Sequence, residues 1–291
     1  MDKIAIVTDS CSDVTQEMKE KYDIFVVPMV VQNGNTTYKD GIDITADDVY
    51  ELQKTTVVKT ASPEGDDILN TFKEVKEKGY THAIVVALSS GLSGTFNSFR
   101  LLAMDEDDLQ IEVLDSKNGS IGYGGIVTIL ARYRDLGMSF EELVEKAKFL
   151  IENSYPYFSI DTLEHLEKGG RIGKATAFVG SLLKIKPILS FEREQGEIFV
   201  PAKARGSKAV SGMLLSLVET QMNHHLGQKY YLIVAHGGVP EAFEMLKKEL
   251  EERFPNAEDC LEAQIGSTLG SYVGKGLLGA GVIFDNEKKL C

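Results

Sequence analysis

Lys3-Ile4-Ala5-Ile6-Val7-Thr8-Asp9-Ser10-Cys11-Ser12-Asp13 is an apolar run that breaks off in a polar, hydroxyl-rich turn. A helical pattern follows to Tyr22, and a second apolar run extends from Ile24 to Val31. Strand, loop, helix and strand in that order open a βαβ unit, because a parallel neighbour needs a crossover and a helix usually supplies it. The alternation continues outward from this segment. Thr45 and Asp48 have the spacing of a capping box for a helix through Gln53, and Ser62-Pro63 reads as an N-cap with proline at the first helical position. His82 to Leu88 and Leu109 to Leu114 read as strands, and Gly119 to Leu136 and Ser139 to Asn153 as long amphipathic helices. Helices recurring between strands imply an α/β fold, a mostly parallel sheet with helices on both faces.

After about Tyr155 the pattern changes. Helices are expected near Asp161 to Lys168 and Lys174 to Leu183, then a β-hairpin from Lys186 to Phe191 and Glu197 to Lys203 around Gln195-Gly196. A strand from Tyr230 to Ala235, a helix from Pro240 to Arg253, a strand near Leu261 and a glycine-rich tail from Gly266 to Gly281 complete an α+β half. The expected organisation is two domains, 1–155 and 156–291, with the last strand available to pair with the other half and a ligand cleft between them.

The chain has 291 residues, 43% hydrophobic and 26% charged, which is ordinary globular usage with enough length for two cores. Its net charge of −13 repels phosphate backbones and anionic membranes, so nucleic acid is not an expected partner and membrane contact is at most transient. No apolar run approaches ~18 residues and no leader pattern stands at Met1, so a cytoplasmic location is expected. Cys11, Cys260 and Cys291 are distant and odd in number, fitting reduced thiols and offering no metal-ligand spacing.

Ser89-Ser90-Gly91-Leu92-Ser93-Gly94-Thr95-Phe96-Asn97 sits between an apolar strand and a helical pattern. An anion there would meet the Ser93 hydroxyl and the amides of Gly94 and Thr95 at a helix N-terminus, which makes a seat for carboxylate or phosphate. The bland reading, in which Ser90 or Ser93 only caps the helix, carries comparable weight from these residues alone. A nucleophile elbow, G-x-S-x-G, is not spelled, because Gly94-Thr95 follows Ser93 and the closing glycine is missing. Gly173-Lys174-Ala175 lacks both the first glycine and the hydroxyl of a P-loop, and no G-x-G-x-x-G follows a strand. Neither ATP nor a nicotinamide cofactor is expected. Thr60-Ala61-Ser62-Pro63, Leu166 to Lys174 and Lys203-Ala204-Arg205-Gly206-Ser207 are each weak alone, with cap, helix end and turn as their plain readings.

In order, the Thr8 to Asp13 turn, Thr60 to Pro63, Ser90 to Thr95, Leu166 to Gly173, Lys186 to Leu189 and the Ala202 to Gly206 turn make the chain resemble the DegV family of bacterial fatty-acid-binding proteins over nearly its whole length. That resemblance implies one long-chain fatty acid, such as palmitate, stearate or oleate, buried between the domains. Its carboxylate would be held by Thr60 and Ser93, with Ser62, Gly94, Thr95 and Tyr272 as neighbours. Charge-assisted bonds from hydroxyls suit a carboxylate. A tail of about fifteen methylenes at roughly 0.8 kcal/mol each offers on the order of 12 kcal/mol before binding costs. Phe178 to Leu183, Ile185 to Ile188 and Leu277 to Ile283 are candidate lining segments.

The resemblance also implies a non-catalytic carrier that presents the acyl chain to a separate ATP-binding fatty acid kinase subunit, with no cofactor of its own. Arg171 and Arg205 are then candidates for contacting that partner or the developing phosphate. The chain departs from the family at Gly270 to Gly276, where Tyr272 replaces a histidine and Lys275 a proline. A phenol donates a hydrogen bond but does not exchange protons near neutrality as an imidazole does. The competing readings are a serine hydrolase using Ser93 with His236, and a phosphosugar-binding module using the same anion seat.

Overall fold

The computed structural model describes residues 2–178 and 185–288. Four parallel strands, β1 (Ile4–Asp9), β2 (Ile24–Val27), β6 (His82–Ala87) and β7 (Gln110–Asp115), form a sheet in the order β2-β1-β6-β7. Ile6 stands opposite both Ile24 and Ile84, and Val85 opposite Val113. Both faces are covered, so the strands are apolar throughout. Ala5, Val7, Ala83 and Val85 pack against Ile68, Phe72 and Val75 of α3 (Gly65–Glu77) and Phe99 of α4 (Thr95–Ala103). Ile4, Ile6, Ile84 and Val86 belong to the same core as Ile126, Ile129 and Leu130 of α5 (Ile121–Asp135). α1 (Gln16–Lys21) crosses over between β1 and β2.

The apolar run from Ile24 to Val31 is not one strand. Pro28 lies at the break, and β3 (Val30–Asn33) turns into a separate antiparallel sheet, β4-β3-β5, with β4 (Thr36–Lys39) and β5 (Lys59–Ala61). Proline has no N–H to continue the ladder. α2 (Ala46–Leu52) covers this small sheet and carries the expected capping box between Thr45 and Asp48. The expected cap at Ser62 is absent. α3 starts at Gly65 behind Glu64, with no side-chain cap, and the Ser62 hydroxyl is used elsewhere.

The second half forms a mixed six-stranded sheet, β10-β9-β8-β13-β11-β12. Its strands are β8 (Ser154–Ser159), β9 (Lys186–Phe191), β10 (Ile198–Ala204), β11 (Gln228–His236), β12 (Cys260–Gln264) and β13 (Leu278–Lys288). The β9–β10 hairpin is the one expected, with Gly196 at φ +69°, a backbone setting that favours glycine. β8 runs across the expected boundary at residue 155. β13 lies between β8 and β11 in this sheet, and so does not pair with the parallel one.

α8 (Val210–His224), which the periodicity did not single out, and α9 (Pro240–Arg253) cover one face of this sheet. α5 and α6 (Phe140–Glu152) pack toward its other face, so α5 is shared between the two large sheets. α7 (Glu164–Lys168) is shorter than expected, and Gly173–Phe178 is a 3-10 turn, so the helix expected to Leu183 runs in part beyond the described residues. α10 (Ser267–Val273) precedes β13. No helix among the described residues is long and apolar enough to cross a membrane.

Candidate functional site

A cavity of about 300 Å³ lies beyond the C-terminal ends of the parallel strands, where Met29, Leu88 and Gly119 to Ile121 leave the sheet. Ligands of open parallel sheets bind at this edge, and the volume is at the lower end of the about 300–1,000 Å³ usual for ligand pockets. The opposite wall is the six-stranded sheet, through Phe158, Ile198, Ile233 and Ala235. β13 carries Gly279 opposite Phe158 and Ala235, and Gly281 opposite Pro156 and Ile233. A methyl group on Gly279 would sit 3.2 Å from Phe158 Cβ, so this face of the central strand is kept bare. α10 and its approach close the side with Ile265, Leu269 and Val273. Of the candidate lining segments, Leu277, Gly279 and Ala280 line the cavity. Ile188 belongs to the core on the other side of the sheet, Ile185 is partly exposed, and residues 179–183 lie outside the described residues.

One end of this apolar cavity is polar. Thr60, Ser62, Ser93, Gly94, Arg171 and Tyr272, far apart in sequence, converge there. The Thr60 Oγ1 and Tyr272 hydroxyl are 2.7 Å apart, and Ser62 Oγ is 3.2 Å from Ser93 Oγ. Ser62 therefore faces the cavity, which is why it caps no helix. Thr95 does not line the cavity. Its amide donates to Ser93 Oγ at 3.3 Å, its hydroxyl is 2.8 Å from the same atom, and it donates to Met29 Sδ at 3.5 Å. This arrangement corrects the expectation of a free Thr95 amide: the residue orients Ser93 from behind.

Arg171 is exposed at the mouth. Its Nε donates to the Leu92 carbonyl at 3.1 Å and its Nη1 to the Gly169 carbonyl at 2.7 Å, with the guanidinium 5.5 Å from the Tyr272 ring centroid. Gly169 lets that ring approach, since a Cβ there would stand 2.4 Å from it. Arg205 lies exposed at the end of β10 and is not part of the cavity wall.

Residues that sequence reasoning did not assign hold these donors in place. Asp9, fully buried, accepts from the amides of Cys11 and Leu88 at 3.0 and 2.8 Å and from the Tyr123 hydroxyl at 2.7 Å. It thereby fixes the exit of β6 into the Ser89 to Gly94 segment. Asp13 accepts from the Gly266 amide at 2.9 Å and the Ser120 hydroxyl at 2.6 Å. Asp40 accepts from the Ser267 amide at 3.0 Å, from the Ser267 hydroxyl and from Ser10 Oγ at 2.8 Å. Asp13 and Asp40 pin the start of α10, and Tyr272 stands at its other end.

Burial pushes the Asp9 carboxyl up to about 6 and the Asp13 carboxyl well above its ordinary range, because desolvation outweighs the hydrogen bonds they accept. Gln53 donates to the Ser271 carbonyl at 2.6 Å and lies 3.4 Å from His165 Nδ1. Burial lowers the pKa of that imidazole. The polar turn after β1 was a visible signal for Asp9 and Asp13; Asp40, Gln53 and His165 had none.

A family model described as "Uncharacterised protein, DegV family" matches residues 3–285. The chain belongs to the DegV family. A DegV domain-containing protein of Clostridium acetobutylicum is 36% identical over 285 residues, covering 98% of this chain and 99% of that protein. A solved DegV family protein of Thermus thermophilus, described for its fatty acid binding, superposes with a TM-score of 0.89 at 28% identity, covering 97% of this chain and 99% of the other. A stearic-acid-binding protein of Eubacterium ventriosum gives 0.86 at 26% identity, with 98% of both chains covered.

Proposed function

We propose that this chain binds one long-chain fatty acid, such as palmitate, stearate or oleate, and carries it in the cytoplasm to a separate ATP-binding fatty acid kinase subunit. The observation that carries the reading is an apolar cavity with the Thr60, Tyr272, Ser62 and Ser93 hydroxyls gathered at one end. The carboxylate is read between the Thr60–Tyr272 and Ser62–Ser93 pairs, with the Gly94 backbone beside it and the tail along the glycine face of β13. Arg171, exposed at the mouth next to Tyr272, is the group placed to meet a partner. Arg205 belongs to this reading only as a surface contact, since it is not among the cavity-lining residues.

A binding role is supported over hydrolysis by the surroundings of Ser93. Its hydroxyl neighbours are Ser62 and Thr95, and His236 instead lies 4.7 Å from the Phe243 ring, outside the cavity lining. A hydrolase would need a base within hydrogen-bond reach. A phosphosugar would need polar groups along the whole cavity, and here most of the lining side chains are apolar.

Organic extraction of natively purified protein followed by mass spectrometry is expected to release one fatty acid per chain. An extract without lipid, together with no rise in melting temperature on adding palmitate or oleate, would remove the reading. Tyr272→Phe deletes one hydroxyl of the Thr60 pair. Losing one hydrogen bond of about 1 kcal/mol is expected to weaken palmitate roughly fivefold in a displacement titration.

A further inference from the structure

We infer that Gln53 is a positioning residue for the carboxylate seat, aiming the Tyr272 hydroxyl at Thr60 by holding the backbone carbonyl of Ser271. This rests on the lipid-binding reading above and adds to it a residue that acts on the ligand without touching it. Gln53 is not among the cavity-lining residues.

α10 is short and ends at Gly274, where φ is +66° and the chain turns away. The Ser271 carbonyl falls in the last turn of that helix, where carbonyls receive no intrahelical donor. Gln53, the C-cap of α2, supplies one: its Nε2 donates to that carbonyl at 2.6 Å across 218 residues of chain. The same Nε2 lies 3.4 Å from His165 Nδ1, and burial favours the neutral imidazole, in which a ring nitrogen can accept. One turn earlier in α2, Tyr50 lies against Gly270, where a Cβ would stand 3.3 Å from its ring, so the two helices meet closely on this side. Thr60 and Gln53 belong to one body, the small β4-β3-β5 sheet with its covering helix. That body grips two successive residues of α10: Ser271 by its carbonyl, and Tyr272 by its hydroxyl, 2.7 Å from Thr60 Oγ1. Tyr272 is thereby held at both its backbone and its tip. Without the Gln53 amide the carbonyl beneath it loses its donor, and only the contact at the tip registers the two bodies.

The test is a double-mutant cycle on the whole chain, with palmitate displacement titrations of wild type, Gln53→Met, Tyr272→Phe and the double variant, each checked by thermal melting. Methionine keeps the length of the side chain and removes the amide. Gln53→Met is expected to weaken palmitate about threefold to fivefold, and to cost nothing further once the Tyr272 hydroxyl is gone. If the two single losses multiply in the double variant, Gln53 acts elsewhere than through Tyr272 and the inference is overturned. Wild-type affinity in a folded Gln53→Met, or in Tyr272→Phe, overturns it equally while leaving lipid binding intact. If wild type itself binds no palmitate, the lipid reading fails and the positioning role fails with it. Should Gln53→Met lose its cooperative melt, Gln53→Asn, whose amide is one methylene short of Ser271, takes its place in the cycle, and losses that multiply again overturn the inference.

Discussion

Replacing Thr60 and Ser93 together by alanine is expected to weaken palmitate and oleate about a hundredfold or more in a titration at neutral pH. A hydrogen bond to a charged group is worth about 1.5–3 kcal/mol, so two lost at the low end already give that factor. The loss comes from the headgroup alone. The corresponding fatty alcohols, which carry no charge, should show a much smaller difference between variant and wild type. Equal losses for acid and alcohol would mean that the mutations had damaged the cavity. No loss for either would remove both residues from the site. Neither substitution empties the core, because both side chains are only partly buried.

Lowering the pH from about 7.5 to about 5 is expected to raise the stability of the wild type relative to Asp9→Asn. The folded Asp9 carboxyl titrates at about 6 against an ordinary value of 3.8. Between those values the folded chain holds a proton that the unfolded chain has released. The stability this group contributes is therefore full below the unfolded value and lost as pH rises through about 6. Two units correspond to on the order of 3 kcal/mol between the limits. Asp13 is raised in the same direction, chiefly by burial and in smaller part by the Asp9 charge itself, so the comparison reads Asp9 together with its effect on Asp13. Asn at position 9 cannot accept from Cys11, Leu88 and Tyr123 together, so its absolute stability falls at every pH; the diagnostic quantity is the difference in slope. Parallel melting-temperature profiles for the two proteins would show that Asp9 does not titrate in this window.

What could be read from the sequence was local. The Thr45–Asp48 box, the β9–β10 turn at Gly196 and the alternation of strand and helix each need only neighbours in the chain, and each stands in the structure where the residues put it. What failed to read was set by distant partners. Ile24 to Val31 is one apolar run on paper, yet Pro28 divides it between two sheets. Ser62 has the spelling of a helix cap and turns instead toward Ser93, thirty-one residues away. The seat itself was named through its separate motifs, but the 2.7 Å approach of Thr60 and Tyr272 spans 212 residues, and no periodicity reports such a contact. Asp40 and Gln53 were invisible for the same reason, since their roles exist only once α10 has docked.

A bare position at the centre of the large sheet bears on how cargo moves: Gly279, on the strand between β8 and β11, forms part of the cavity wall. A tail lying against it runs between α10, the β6 exit and the six-stranded sheet. Under the proposed reading, unloading is then limited by how often these layers part, and the affinity of the closed form says little about residence time. A recipient that grips the opened form would speed transfer without competing for the lipid, and a donor surface would load the protein only as fast as the layers separate.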